Sequence, residues 1–337
     1  MLEDILKLKE LILTPKQVVI TTHRGPDGDA MGSSLAMFHF LRKLGHKVNV
    51  ITPNEYASFL HWMPGNNEVL VYEGNEEESK EVVKNADLIF LMDFNHISRI
   101  GSLADIISNT NVSKVLIDHH QDPDMNVADL FFSDTQACST AQLTYELIEA
   151  MSLSSYLDKE IAECLYVGIM TDTGSFKYAS TTAKTHDITA QLIDAGVDNA
   201  RIHDLIYDNS SANRIKLLGY CLYKKLLIYK ENNSAIISLT AEELQRFKFQ
   251  NGDTEGFVNY ALAIKGIRFA VFIAEKDGIV KLSLRSKGGF KVNEIANKYF
   301  SGGGHINASG GVSQVSVDET IKSVEKIINT YKKELIN

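Results

Sequence analysis

His23, Asp27 and Asp29 fall within seven residues, on a Gly25-Pro26-Asp27-Gly28 turn that follows the β-branched run Gln17–Thr22. An imidazole and two carboxylates packed onto a Pro/Gly turn repel one another unless a positive charge sits among them, so the first reading is a metal site. Later segments add ligands of the same kind. Asp93 closes the apolar run Ala86–Asp93, the triplet Asp118-His119-His120 closes Ser113–Asp118, and Asp172 begins Asp172-Thr173-Gly174. His23, Asp27, Asp29, Asp93, His119 and Asp172 make a hard N/O set without a thiolate. Four carboxylates and two imidazoles exceed what one catalytic zinc takes and suit two divalent ions. Each residue alone has an ordinary explanation: an Asp in a turn caps a helix, and a strand-end His makes a structural hydrogen bond. Their convergence carries the weight.

The elements that must bring them together are legible. Strands are expected at 17–22, 47–52, 86–93 and 113–118, with helices at 30–44, 76–84, 137–151, 159–170 and 182–195. Strands that alternate with helices imply an α/β fold, a doubly wound, mainly parallel sheet whose ligands lie at the carboxyl ends of the strands. The candidate residues sit at those ends. We expect this domain to span 1–195, followed by a helical linker at 196–225 and a second, smaller α+β domain at 226–337. In the latter, strands are expected at 235–239, 268–275 and 279–285, the last two joined through Lys276-Asp277-Gly278. A helix at 292–300 precedes Gly302-Gly303-Gly304-His305, and a strand at 312–315 precedes a long charged helix. Consecutive glycines can turn backbone N–H groups toward an anion, with His305, Arg285 and Arg268 as further donors. Tyr299 and Phe300 could stack on a base, but their helical setting favours core packing.

The formal net charge of −9 argues against a protein that coats long duplex DNA or RNA. The charge is uneven: 19 basic against 31 acidic residues up to residue 225, and 15 against 12 afterwards. That split fits a metal-bearing front and a back that grips an anion. No apolar run is long enough to span a bilayer. Acids at Glu3 and Asp4 argue against a signal peptide, and three cysteines in apolar contexts read as reduced core residues, so the expected location is the cytoplasm.

His-x-x-x-Asp-x-Asp at His23/Asp27/Asp29, a strand-end Asp93, Asp118-His119-His120 and Asp172-Thr173-Gly174 resemble, in order, the first four motifs of the DHH phosphoesterase superfamily. Arg285-Ser286 followed by Gly302-Gly303-Gly304-His305 resembles the DHHA1 domain of one branch, and the overall layout is similar to the nanoRNases, described as bifunctional oligoribonuclease and PAP phosphatase. The resemblance implies two divalent ions, with Mn2+ as the expected metal. His23, Asp27 and Asp93 would hold one ion, and Asp29, Asp93, His119 and Asp172 the other. Asp93 would bridge them, and a water made nucleophilic near neutral pH would attack the phosphorus. His120 would stabilise the scissile phosphate or leaving group, with Asp118 orienting its neighbours. Arg268, Arg285, Ser286, Gly303, Gly304 and His305 would bind substrate. One departure stands out: the family pattern continues x-x-Ala-Ala-Gly after the glycine motif, whereas this chain has Ile306-Asn307-Ala308-Ser309-Gly310.

The resemblance implies degradation of short RNA oligonucleotides to mononucleotides, with 3′-phosphoadenosine 5′-phosphate as a second substrate. The alternative is a cyclic or linear dinucleotide phosphodiesterase acting on c-di-AMP or pApA. Manganese inorganic pyrophosphatases share the first motifs but lack the Gly-Gly-Gly-His element. A non-catalytic nucleotide sensor would be favoured by a missing ligand, and none is missing. No membrane partner is expected, and the helix content is compatible with a homodimer.

Overall fold

A computed structural model of the chain describes residues 2–276 and 278–336. The chain divides into two units, 1–209 and 210–337. In the first, α1 (Leu2–Ile12) leads to β1 (Gln17–Thr22), α2 (Gly28–Lys43), β2 (Lys47–Thr52) and β3 (Val69–Val71). The chain continues through α3 (Glu76–Lys84), β4 (Leu88–Met92), α4 (Leu103–Ser108), β5 (Ser113–Asp118) and β6 (Leu130–Ser133). Helices α5 (Thr140–Ala150), α6 (Lys159–Asp172), α7 (Ala183–Asp194) and α8 (Asn199–Tyr207) complete the unit. The six strands are all parallel, in the order β3-β2-β1-β4-β5-β6. The order reverses between β1 and β4, which makes their carboxyl ends the switch point where such sheets bind ligands.

The central strands are apolar throughout because both faces are covered. Val18, Ile20, Leu88 and Phe90 pack with Met31 and Leu35 of α2, Tyr145 of α5 and Leu165 of α6. The alternate residues Val19, Ile89 and Leu91 pack with Val83 of α3 and Leu103 and Ile107 of α4. Edge strands β3 and β6 were not expected from the sequence. They are three and four residues long and mostly half-buried, too short to show a periodic pattern. Helix α6 also runs two residues beyond the expected end, so that Asp172 is its last residue.

Glycines let α2 and α6 approach closely. A Cβ on Gly32 would stand 2.6 Å from the Cys164 carbonyl oxygen, and one on Gly168 would stand 2.5 Å from the Ala141 Cβ. Real Cβ contacts are not this short, so neither position accepts a side chain without movement. The close approach brings Asp29, in the first turn of α2, beside the helix that ends at Asp172.

In the second unit α9 (Ala212–Tyr220) ends in a wide turn, Cys221–Lys225, before β7 (Leu226–Tyr229) and β8 (Ser234–Leu239). Then come α10 (Ala241–Arg246), α11 (Phe257–Leu262), β9 (Phe269–Lys276) and β10 (Ile279–Ser286). The chain finishes with α12 (Val292–Phe300), β11 (Gly303–His305), β12 (Ala308–Ser313), α13 (Val317–Thr330) and α14 (Lys332–Ile336). The sheet order is β11-β12-β10-β9-β8-β7, parallel only between β8 and β9. Alternate residues of β8 and β9 face two cores: Ile236, Val271 and Ile273 toward α12 and α13, Ile237, Ala270 and Phe272 toward α9 and α11. Strands β9 and β10 pair as the expected hairpin, with Lys276 opposite Ile279. Its corner residue Asp277 lies outside the described residues, and Gly278 takes φ +74°.

One expectation is corrected and one element is new here. The last strand runs over Ala308–Ser313 rather than 312–315, and Gly303–His305, where no strand was expected, pairs with it. Close contact explains both. A Cβ on Gly304 would stand 2.6 Å from the Ala308 carbonyl oxygen, and one on Gly311 would stand 2.6 Å from the Phe300 Cβ, so small residues let this ribbon lie flat on α12. Phe300 is buried, as its helical setting suggested, while Tyr299 is partly exposed. Among the described residues no helix is long and apolar enough to cross a membrane, and all three cysteines are buried and unbridged.

Candidate active site

Each imidazole at the switch point has one ring nitrogen fixed by a neighbour. His23 Nδ1 lies 3.0 Å from the Arg24 carbonyl oxygen and His119 Nδ1 lies 3.3 Å from that of Ala137. A carbonyl can only accept, so these contacts keep a proton on Nδ1, and Nε2 is the nitrogen that can give up its proton to a metal ion. The free faces meet carboxylates. His23 Nε2 is 3.5 Å from Asp93 Oδ2 and 4.0 Å from Asp27 Oδ1. His119 Nε2 is 3.7 Å from both Asp29 Oδ2 and Asp93 Oδ1, and 3.5 Å from Asp172 Oδ2.

The carboxylates reach this point by different routes. Asp27 caps α2, its Oδ1 accepting the N–H groups of Asp29 at 3.0 Å and Ala30 at 3.1 Å. Asp29 is buried, and its two oxygens accept the first two N–H groups of α5, from Thr140 at 2.7 Å and Ala141 at 2.9 Å. Asp93 follows β4 in the left-handed region, φ +64°, a conformation that Asp tolerates better than most residues. Its Oδ1 accepts a hydrogen bond from the Thr140 hydroxyl at 2.8 Å. Asp118 accepts from His120 Nδ1 at 2.7 Å, and the same nitrogen lies 3.7 Å from Asp93 Oδ1.

The result is two ligand groups that share one residue. His23, Asp27 and Asp93 offer atoms all within 4.8 Å of one another, and so do Asp29, Asp93 and His119. Asp93, Asp118 and His120 form a third group around the same carboxylate. The electrostatics are those of a site that needs cations. Burial, then the neighbouring Asp93 carboxylate, push the Asp29 carboxyl well above its ordinary value. Burial also works against the Asp93 anion, but the facing His23 ring and the nearby His120 and His119 imidazoles outweigh it and hold that carboxyl far below its usual range. Burial opposes charging His23 and His119, yet the facing carboxylates raise both. Hard N/O donors, converging lone pairs and mutually repelling buried acids fit divalent cations.

Thr140 was missed by the sequence reading. A Ser139-Thr140 pair at a helix start reads as a cap, and Ser139 is indeed the cap of α5. In the second unit the expected substrate residues divide. Arg268 donates through Nη1 to the carbonyls of Glu334 at 3.2 Å and Leu335 at 3.3 Å, and so anchors α14. Ser286 is buried, donates to the Phe290 carbonyl and accepts from Asn307 Nδ2 at 2.8 Å. Both side chains are therefore engaged in the unit's own framework. Arg285, Gly303, Gly304 and His305 lie together on adjoining strands, with Arg285 opposite Ala308, which pairs in turn with His305. Ser309, where the family pattern has Ala, is buried and donates to the His305 carbonyl at 2.9 Å.

A doubly wound sheet with clustered His and Asp side chains at its switch point and a second, mixed-sheet unit with a glycine-rich edge is the layout of a metal-dependent phosphoesterase. The model for the DHH family N-terminal domain matches residues 17–169, and that for the DHHA1 domain matches residues 232–334. The chain belongs to the DHH family. It is 30% identical to the bifunctional oligoribonuclease and PAP phosphatase NrnA of Bacillus subtilis, over 87% of this chain and 88% of that one. The crystal structure of an exopolyphosphatase-related protein from Bacteroides fragilis superposes with a TM-score of 0.95 at 39% identity, covering 99% of this chain and 98% of that one. The cyclic-di-AMP phosphodiesterase GdpP of Bacillus subtilis is 27% identical over 96% of this chain, but the match covers only 49% of GdpP.

Proposed function

We propose that the protein is a two-metal phosphodiesterase that cuts very short RNA to mononucleotides and also removes a phosphate from 3′-phosphoadenosine 5′-phosphate. The observation that carries this reading is the sharing of Asp93 between two ligand groups. His23, Asp27 and Asp93 would hold one ion, and Asp29, Asp93, His119 and Asp172 the other, with Mn2+ favoured by the N/O donors. Such ions, when bound, make water nucleophilic near neutral pH and offset charge on the phosphoryl oxygens. The chain's own groups do the rest. Asp118 holds the Nδ1 proton of His120 at 2.7 Å, which orients the ring to meet the scissile phosphate or leaving oxygen. Arg285, Gly303, Gly304 and His305 would bind the far end of the substrate.

The match with NrnA runs nearly end to end in both chains, which favours oligoribonuclease activity over the cyclic-dinucleotide activity of the longer GdpP. The test is a product time course with Mn2+ on RNAs of two to about ten nucleotides, beside 3′-phosphoadenosine 5′-phosphate, c-di-AMP and pApA. The expected result is mononucleotides from the shortest RNAs and release of phosphate from the bisphosphate. Hydrolysis confined to c-di-AMP or pApA would replace this reading with the dinucleotide one. Binding without turnover of any of them would make the protein a sensor.

A further inference from the structure

We infer that Thr140 is the positioning residue that sets the two ion sites against each other, by holding Asp29 with its backbone and Asp93 with its side chain. The inference rests on the two-ion reading above. Thr140 is fully buried at the first position of α5. Its N–H donates to Asp29 Oδ2 at 2.7 Å and its hydroxyl to Asp93 Oδ1 at 2.8 Å. The two acids come from separate elements, 111 and 47 residues away in the chain. One residue thus ties together the carboxylate shared by both ligand groups and a carboxylate that belongs to only one.

The geometry gives each bond a separate task. The first N–H groups of a helix have no partner within it. In α5 the Gln142 N–H goes to the Ser139 hydroxyl at 3.0 Å, while those of Thr140 and Ala141 both go to Asp29, one to each oxygen. That fixes the plane of the Asp29 carboxylate. The Thr140 hydroxyl fixes the other plane. With Oδ1 of Asp93 held by Thr140, that oxygen faces His119 at 3.7 Å and Oδ2 faces His23 at 3.5 Å. Without the hydroxyl Asp93 Oδ1 loses its tie to α5, and a carboxylate turns readily about its last bond. A β-branched residue is restricted at χ1, so the hydroxyl is presented in a fixed direction.

Thr140→Val keeps the shape and both backbone bonds to Asp29 but removes the hydroxyl; Thr140→Ser keeps the hydroxyl. Mn2+ binding to the full-length protein, followed by calorimetry and by electron paramagnetic resonance without substrate, separates the possibilities. For Thr140→Val the affinity of at least one Mn2+ should fall by about 10- to 100-fold, as found for outer-shell partners of metal ligands. Thr140→Ser should bind like the wild type, and kcat should follow affinity while KM for a diribonucleotide holds. Wild-type affinity for both ions in Thr140→Val would overturn the role of Thr140. A wild-type protein that binds fewer than two Mn2+ would instead overturn the two-ion reading. Should Thr140→Val not fold, Thr140→Ala, which suits a helix start, tests the same bond with the same expected loss.

Discussion

Replacing Gly168 with alanine puts a methyl group where α6 meets both α5 and Asp29. The new Cβ would stand 2.5 Å from the Ala141 Cβ and 2.8 Å from Asp29 Oδ1, where ordinary contact is 3.4–4 Å. Neither neighbour can swing away: one is a Cβ on a buried helix, and the other belongs to a carboxylate held by two N–H groups. Forced overpacking of this kind costs about 1–3 kcal/mol, and a clash on two sides belongs near the upper end. Helix propensity returns roughly 1 kcal/mol, because alanine replaces glycine inside a helix. The net loss is therefore about 2 kcal/mol, and at roughly 2–4 °C per kcal/mol for a unit of this size the melting temperature should drop by about 4–8 °C. Gly219→Ala on α9 is the matched control. Nothing lies within 4 Å of its added Cβ, so only the propensity gain applies and stability should rise. Thermal melts followed by circular dichroism, without metal and with Mn2+, read both effects, and the Gly168 variant should also lose Mn2+ affinity because Asp29 is displaced. A Gly168→Ala protein that melts with the wild type and binds Mn2+ equally well would refute the claim that this helix contact positions the site.

Other predictions concern parts that hold the frame. Asp158 caps α6 through the Ile161 N–H at 3.1 Å and pairs with Lys43 at 2.6 Å. Asp158→Ala should cost about 1 kcal/mol in urea unfolding at pH 7. Burial works against that anion, but the Lys43 and Ile161 hydrogen bonds win and lower its carboxyl. Its contribution is therefore complete above the ordinary carboxylate range and lost as pH falls through the folded value, so the deficit of the variant should shrink below about pH 4. Arg268→Ala should speed amide exchange in α14, whose carbonyls it holds, and leave KM for short RNA unchanged. Ser309→Ala restores the family residue but removes the hydrogen bond to the His305 carbonyl; it should cost about 1 kcal/mol by thermal melts and raise KM while kcat holds.

The metal-ligand candidates were readable because parallel strands buried on both faces are almost wholly apolar, and a polar residue at the carboxyl end of such a run stands out. Asp93 after Leu88–Met92 and Asp118-His119-His120 after β5 show this plainly. Thr140 was not readable. Its partners lie far away in the chain, and a hydroxyl residue at a helix start has a local explanation that hides the tertiary one. Gly28 reads as part of a turn, and nothing local marks Gly168, since the cost of a Cβ at either depends on a second helix. The glycine run before His305 was legible as special, but its pairing as a close-packed ribbon with Ala308–Ser313 depends on contacts with a later segment. The bonds of Arg268 to the carbonyls of α14 were not readable, because a guanidinium that suits phosphate also suits the carbonyls at a helix end.

The central claim is that Asp93 serves two ions at once, and counting Mn2+ on wild-type protein and on Asp93→Asn tests it most directly. Asparagine tolerates the left-handed backbone at this position, φ +64°, so the fold should survive the change. The wild type should bind two Mn2+ per chain, and the variant should bind both more weakly, with turnover of a diribonucleotide reduced to background. Two ions held by Asp93→Asn as tightly as by the wild type would contradict the account.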